Sequence, residues 1–248
     1  LTWENDGGAF VLIYLAAVFV IGLPLMMSEI LVGRRSQMSP VPAFARLGGK
    51  KWSGIGWLGV SSGTLIQSYY IVIAGWSLRS FAQCVGWSLN GYSAPGETEF
   101  GGFLANGPLQ IGLAFLFTLL TASIVYRGIR GGIEKANKIM MPALLAILLY
   151  LVATALTMGG RDEALAKIFV PHLAGFTTRG FLEAVGQAFF SLSLGLGAMV
   201  AYGSYLDRKE SIFRSAVSVV ILDTVVALLA GVAMFTIIFS VPGLSGRI

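Results

Sequence analysis

The sequence predicts an all-α integral membrane protein with about six transmembrane helices, one of them discontinuous, and three observations predict it. Of the 248 residues, 56% are hydrophobic and only 12% charged, whereas a soluble domain carries about 25% charged residues. A window of about 20 residues, the length that crosses a bilayer, finds apolar stretches at residues 7–30, 53–78, 109–125, 139–158, 181–202 and 216–241. The fifth stretch reads Gln187-Ala-Phe-Phe-Ser-Leu-Ser-Leu-Gly-Leu-Gly-Ala198, with two hydroxyls and two glycines at its centre. Lipid offers no hydrogen-bond partners, so a helix with Ser191, Ser193, Gly195 and Gly197 at membrane depth must turn its freed backbone groups toward protein, ions or ligand. A span broken at the midplane is the usual mark of a substrate and ion site in a secondary transporter.

With their flanking turns, the spans are expected over about residues 7–33, 52–84, 108–127, 136–158, 179–205 and 213–241 of one incomplete transmembrane domain covering 1–248. Their orientation follows from the basic residues. Arg34, Arg35, Arg46, Lys50 and Lys51 follow the first span, Arg127, Arg130, Lys135 and Lys138 the third, and Arg208, Lys209 and Arg214 the fifth. Those alternate loops are expected in the cytoplasm. The loop after the second span holds Glu97 and Glu99 without Lys or Arg, and the mixed loop with Arg161, Lys167 and Arg179 shares its outer side. This asymmetry accounts for the net charge of +5, so nucleic acid is not required as a partner. The chain opens on Leu1 without an initiator Met or a signal-like flank and stops at Ile248 just past the last span, which reads as a piece of a longer gene. Cys84 alone makes no internal disulfide and no metal pattern.

Taken in order, the first span carries Glu29 near its cytoplasmic end, where a carboxylate can snorkel, cap or serve function. On the second, Ile66, Tyr70 and Ile73 share one helical face; that face suits plain core, or a mixed pocket with an apolar wall and one hydroxyl. The same span contains Gly59-Val-Ser-Ser-Gly63, which fits the G-x-S-x-G pattern of a serine hydrolase. That pattern needs a strand-turn-helix context and a reachable base, and the single histidine, His172, falls in a loop on the far side. A hydrolase, and an enzyme generally, is therefore not expected. On the fifth span Gln187 and Ser191 are four apart and face one way. Asp223 lies about two turns into the sixth, where a bare carboxylate at the centre costs roughly 2.5 to 3.5 kcal/mol on insertion scales. Two readings stand for it, a hydrogen-bonded or protonated structural group and a cation ligand, and it is the obvious partner for the Gln187 and Ser191 stripe.

Four stretches carry a family resemblance: Glu4-Asn-Asp-Gly-Gly-Ala-Phe10, Gly22-Leu-Pro-Leu-Met-Met-Ser-Glu-Ile-Leu-Val-Gly-Arg34, Arg127-Gly-Ile-Arg-Gly-Gly-Ile-Glu134 with residues 138–142, and the Gln187 stretch. In order and spacing they resemble the neurotransmitter:sodium symporter family, nearest its bacterial amino-acid transporters. The resemblance implies a partial inverted-repeat transporter fold covering the end of the family's first span through its seventh, in a multi-pass protein of the cell membrane, on this likeness the bacterial inner membrane. It also implies sodium ions and an amino-acid substrate as partners, and no organic cofactor.

Site residues carry over from the resemblance one by one. Tyr70 matches the residue that binds the substrate carboxylate, with Ile66 and Ile73 lining the side-chain pocket. Phe190 matches the aromatic lid, the backbone near Phe190 and Ser191 with Ser193 receives the amine, and Leu196 tunes the pocket. Ser191 and Asp223 match ligands of the first sodium site. Tyr14, Gln187 and Ser191 match positions that hold chloride in other members, Tyr205 matches a gate tyrosine, and Gly195 and Gly197 mark the helix break. Gly132 and Pro142 bracket a segment that either unwinds to admit water or is an ordinary helix start with Gly132 in the preceding loop. Many relatives have asparagine where this chain has Asp223. A fixed carboxylate there supplies the negative charge itself, so the expectation is chloride independence, with proton coupling open if Asp223 is protonated on the return step.

The lining has no Lys, Arg or Glu to pair a charged side chain, which favours a neutral hydrophobic substrate, aliphatic or aromatic. Two sodium ions crossing 100 mV release roughly 4.6 kcal/mol, enough for a substrate gradient on the order of a thousandfold. The alternative is a six-span channel or a non-transporting membrane subunit with the same fold.

Overall fold

The computed structural model describes residues 2, 5, 7–92, 99–171, 177–207 and 209–241. Glu4, Asp6, Glu97, His172 and Arg208 lie outside the described residues, as does the side chain of Arg130. The chain divides into two compact units, one built from residues 1–61 and 143–248 and the other from 62–142.

The first unit opens with α1 (Gly8–Ala17) and α2 (Leu23–Ser36), which a π-helical turn, Val18–Gly22, joins into one helix. The cause is local. Pro24 has no N–H and its ring would clash with the preceding turn, and a π turn absorbs such a conflict without ending the helix. Gln37, at φ 53°, closes α2 by donating to the Gly33 carbonyl at 2.8 Å. The paired glycines of the opening motif also have a geometric reason. Gly7 sits at φ 51° and bridges to Pro171, and a Cβ on Gly8 would lie 2.5 Å from the Val170 carbonyl oxygen.

Next come α3 (Pro40–Gly48) and α4 (Ser53–Asn90), the latter running from the first unit into the second. The second unit adds α5 (Glu99–Ala105) and α6 (Gly107–Tyr126), whose start is capped by Asn106 accepting from the Leu109 N–H at 3.2 Å. A second π-helical turn, Ile129–Ile133, leads directly into α7 (Glu134–Ala155), which contains Pro142 and returns the chain to the first unit. Within the second unit Arg79 stacks 4.1 Å from the Phe103 ring centroid and pairs with Glu99, and Trp76 donates to Gln110 at 3.1 Å.

The first unit closes with α8 (Arg161–Phe169), α9 (Thr178–Ser191), α10 (Ala198–Tyr205) and α11 (Ile212–Ser240). Thr177 and Ser211 cap α9 and α11 by accepting from Gly180 and Arg214, the expected use of hydroxyls where four helix donors lack partners. Its core is a cluster around Val18, Met26, Ile30, Leu192 and Val220. The tightest crossing is α2 against α10: Gly33 lies against the Val200 and Ser204 backbone, and Gly203 against Ile30.

Among the described residues four helical stretches are long and apolar enough to cross a membrane, Gly8–Ser36, Gly107–Tyr126, Gly131–Ala155 and Ile212–Ser240. The protein is a multi-pass membrane protein. The fifth expected span is two helices, α9 and α10, separated by residues 192–197. Ser61 lies inside α4 and not in a strand-turn-helix elbow, so the hydrolase pattern has no structural support.

Candidate functional site at the broken helix

The end of α9 is set by backbone geometry. Ser193 takes φ 53°, its N–H donates to the Phe190 carbonyl at 3.1 Å, and the Leu194 N–H reaches back to the Phe189 carbonyl at 2.9 Å. This pair of bonds is a Schellman closure with a serine in the left-handed position that glycine usually fills. Leu194 is buried in the core cluster and Phe189 packs against that cluster, the apolar environment that accompanies such a closure. Gly195 and Gly197 continue at φ 78° and 73°, and α10 restarts at Ala198. The carbonyls of Leu192, Ser193 and Leu194 accept no backbone N–H among the described residues. They are oxygen acceptors at a break, the donor type that hard cations prefer.

Three helices meet at the last turn of α9. Tyr14 on α1 donates its hydroxyl to Ser191 Oγ at 3.2 Å, and Ser191 Oγ in turn donates to Asp223 Oδ2 on α11. Of the two residues in the expected polar stripe, Ser191 is the one that meets Asp223. Gln187, one turn earlier, lines a cavity of about 310 Å³ together with Tyr14, Phe10, Ala227 and Phe235. Asp223 is half-buried, and no Lys or Arg pairs with it among the described residues. A hydrogen-bonded carboxylate beside a hydroxyl and a run of open carbonyls has the chemistry to hold a small monovalent cation.

A second carboxylate reaches the break from α2. Glu29 Oε1 accepts from the Gly195 N–H at 2.8 Å, while its Oε2 is buried without a partner among the described residues. On the other side of the break Gly59 lies so close that a Cβ would be 3.0 Å from the Gly195 carbonyl oxygen and 3.2 Å from the Gly197 N. Pro40 of α3 covers Gly197, with Cγ 2.7 Å from where a Cβ would stand.

The remaining residues named from the sequence fall as follows. Phe190 is exposed, Leu196 half-buried and Tyr205 exposed at the end of α10. Ile66, Tyr70 and Ile73 lie on α4 within the second unit, where the Tyr70 ring sits 5.1 Å from that of Tyr69. Gly132 is part of the π-helical turn, tight against the Ile124 carbonyl and the Arg127 side chain, and Pro142 is inside α7. The helix is therefore continuous between them, and Gly132 is not in the preceding loop. A tie that the sequence reading missed links Asn5, which donates to Glu183 at 2.7 Å, with Arg179, which pairs with Glu183 at 2.7 Å. The four-residue spacing of Arg179, Glu183 and Gln187 was the available signal.

A helix broken among hydroxyls, glycines and carboxylates inside a multi-pass helical protein is the arrangement in which secondary transporters form substrate and ion sites. A family profile described as the sodium:neurotransmitter symporter family matches residues 1–95 and 100–243, and the chain belongs to that family. It is 38% identical over 241 residues to the sodium-dependent transporter YhdH of Bacillus subtilis, covering 95% of this chain and 53% of that protein. A sodium-dependent transporter of Haemophilus influenzae is 31% identical, with 97% and 55% covered. The sodium-dependent neutral amino acid transporter B(0)AT3 of Mus musculus is 28% identical, with 96% and 43% covered. The crystal structure of MhsT in complex with L-phenylalanine superposes with a TM-score of 0.89 at 41% identity, covering 99% of this chain and 56% of MhsT. The chain spans about half the length of the curated relatives it matches.

Proposed function

We propose that this chain forms part of a sodium-coupled symporter that imports a neutral, hydrophobic amino acid by alternating access without requiring chloride. Family membership supports sodium coupling. The neutral amino acid of the B(0)AT3 name and the L-phenylalanine of MhsT support the substrate class. The observation that carries the chloride reading is the Ser191 hydroxyl donating to Asp223. A carboxylate in that position brings a fixed negative charge, and such a charge stabilises a nearby cation far more in low dielectric than in water.

On this reading Ser191 and Asp223 ligate the first sodium, and Tyr14 and Gln187 orient them. Ser193 and the open backbone beside Phe190 take the substrate amine, Tyr70 its carboxylate, and Ile66, Ile73 and Leu196 the apolar side chain. Phe190 and Tyr205 serve as gates, and the segment from Gly132 to Pro142 admits water. The basic loops face the cytoplasm. Ile66, Ile73 and Leu196 are all aliphatic, which supports a neutral substrate side chain, aliphatic or aromatic.

The test is uptake of labelled leucine, phenylalanine and tryptophan into proteoliposomes of the full-length protein, with and without a sodium gradient and chloride. Wild type is expected to show sodium-driven uptake indifferent to chloride, and Asp223→Asn to need chloride. Chloride dependence in the wild type overturns the charge role, and sodium flux without amino acid indicates a channel.

A further inference from the structure

The α2 to α4 connection carries a feature that transport does not use. Val32 on α2, Phe44, Leu47 and Gly48 on α3, and Trp52 line a groove of about 250 Å³ whose named lining is wholly apolar. Trp52 folds back over Gly48, where a Cβ would lie 2.8 Å from the indole Cγ, so the groove exists because position 48 has no side chain. One flank of α3 is occupied, with Pro40 and Ala43 buried and the helix seated on α2 and α10. Further along that same face Leu47, and beyond the helix Trp52, are about half exposed, at 48% and 55%.

Basic residues stand next to the lining residues in sequence. Lys50 and Lys51 form the short turn immediately before Trp52, and Arg35 lies one turn beyond Val32 on α2. All three are exposed, and none pairs with a carboxylate among the described residues. The other two basic residues of this connection are already engaged: Arg34 donates to the Glu210 carbonyl at 2.6 Å and Arg46 to the Ser36 carbonyl at 3.1 Å. Two classes of basic residue thus share one loop, a pair that anchors backbone and a trio left facing outward beside an apolar slot.

We propose that this groove binds an anionic phospholipid of the cytoplasmic leaflet, its acyl chain along Val32, Phe44 and Leu47 and its phosphate against Lys50, Lys51 and Arg35. The proposal rests on the inward orientation of the basic loops given above. An apolar slot at the end of a membrane helix suits a hydrocarbon chain, a tryptophan belongs at headgroup depth, and unpaired lysines there attract anionic headgroups. A soluble partner would match the charge but leave the slot unfilled.

The experiment uses the full-length protein in nanodiscs and reads tryptophan quenching by lipids brominated on the acyl chain, the Trp52 component being wild type minus Trp52→Phe. Brominated phosphatidylglycerol is expected to quench that component at far lower content than brominated phosphatidylcholine. Lys50→Gln and Lys51→Gln should each lower the preference about fivefold, the attraction of one basic residue for an anionic leaflet. Both substitutions are on exposed side chains, so folding is not at risk. Equal quenching by the two lipids, or no quenching by either, overturns the proposal. The readout is fluorescence, so its failure is separate from any failure of amino-acid uptake.

Discussion

Glu29 accepts a hydrogen bond from the Gly195 N–H at 2.8 Å across a sequence separation of 166 residues. A carboxylate on an unbroken helix thereby holds the backbone of the broken one. The break takes that N–H out of any helix ladder, and Glu29 supplies the missing acceptor.

Glu29→Ala removes that acceptor and should destabilise the protein by about 1–3 kcal/mol, the penalty of leaving such a group unpaired. Glu29→Gln keeps an oxygen for Gly195 and should recover most of the loss. Thermal unfolding of the purified full-length protein checks both, with sodium-dependent uptake as a second readout. Equal melting temperatures for the alanine variant and wild type would remove Glu29 as a determinant of the break.

Tyr14→Phe tests the other end of the site. The variant keeps the ring in the core and deletes only the hydroxyl that donates to Ser191. Interhelical hydrogen bonds in membranes average about 0.6 kcal/mol, so sodium affinity should weaken by about threefold while Asp223 retains its bond from Ser191. Sodium titration of substrate binding reads this, and an unchanged midpoint would show that Tyr14 does not orient the ligand hydroxyl.

The break at Ser191 to Gly197 was legible because lipid punishes polar and glycine residues in a span unless they have a use. Asp223 was legible for the same reason, as the polar group on the next helix in sequence that a Gln187 and Ser191 stripe could meet. Periodicity could not show that Glu29 reaches Gly195, since no rule links a helix face to one N–H on another helix. Nor could it show the π-helical turn at Val18–Gly22 or the close approach of Gly33 to Val200. Glycine in a sequence reads equally as packing, flexibility or a turn, and only the neighbouring backbone decides.

Gly33 gives that distinction a direct test. A Cβ at this position would meet the Val200 backbone and stand 2.9 Å from the Ser204 N, neither of which can move without shifting α10. Gly33→Ala should destabilise by about 1–3 kcal/mol through overpacking. Gly54→Ala, on α4 with nothing within 4 Å of its Cβ, should be neutral or slightly stabilising because alanine favours helix. Melting of the two variants side by side separates close packing from loss of flexibility; equal destabilisation would refute the packing account.

Ser193 holds the left-handed position of the Schellman closure at φ 53°, a conformation that costs an L-residue roughly 1–2 kcal/mol and glycine almost nothing. Stability alone would favour glycine there. If the serine hydroxyl serves the substrate amine, Ser193→Gly should raise stability by about 1 kcal/mol while weakening amino-acid binding. Ser193→Ala should lose binding without the stability gain, because it keeps the Cβ and deletes only the hydroxyl. Parallel measurement of melting temperature and substrate affinity distinguishes the two. A glycine variant that is more stable and binds as well as wild type would leave the strained serine without a role in the site.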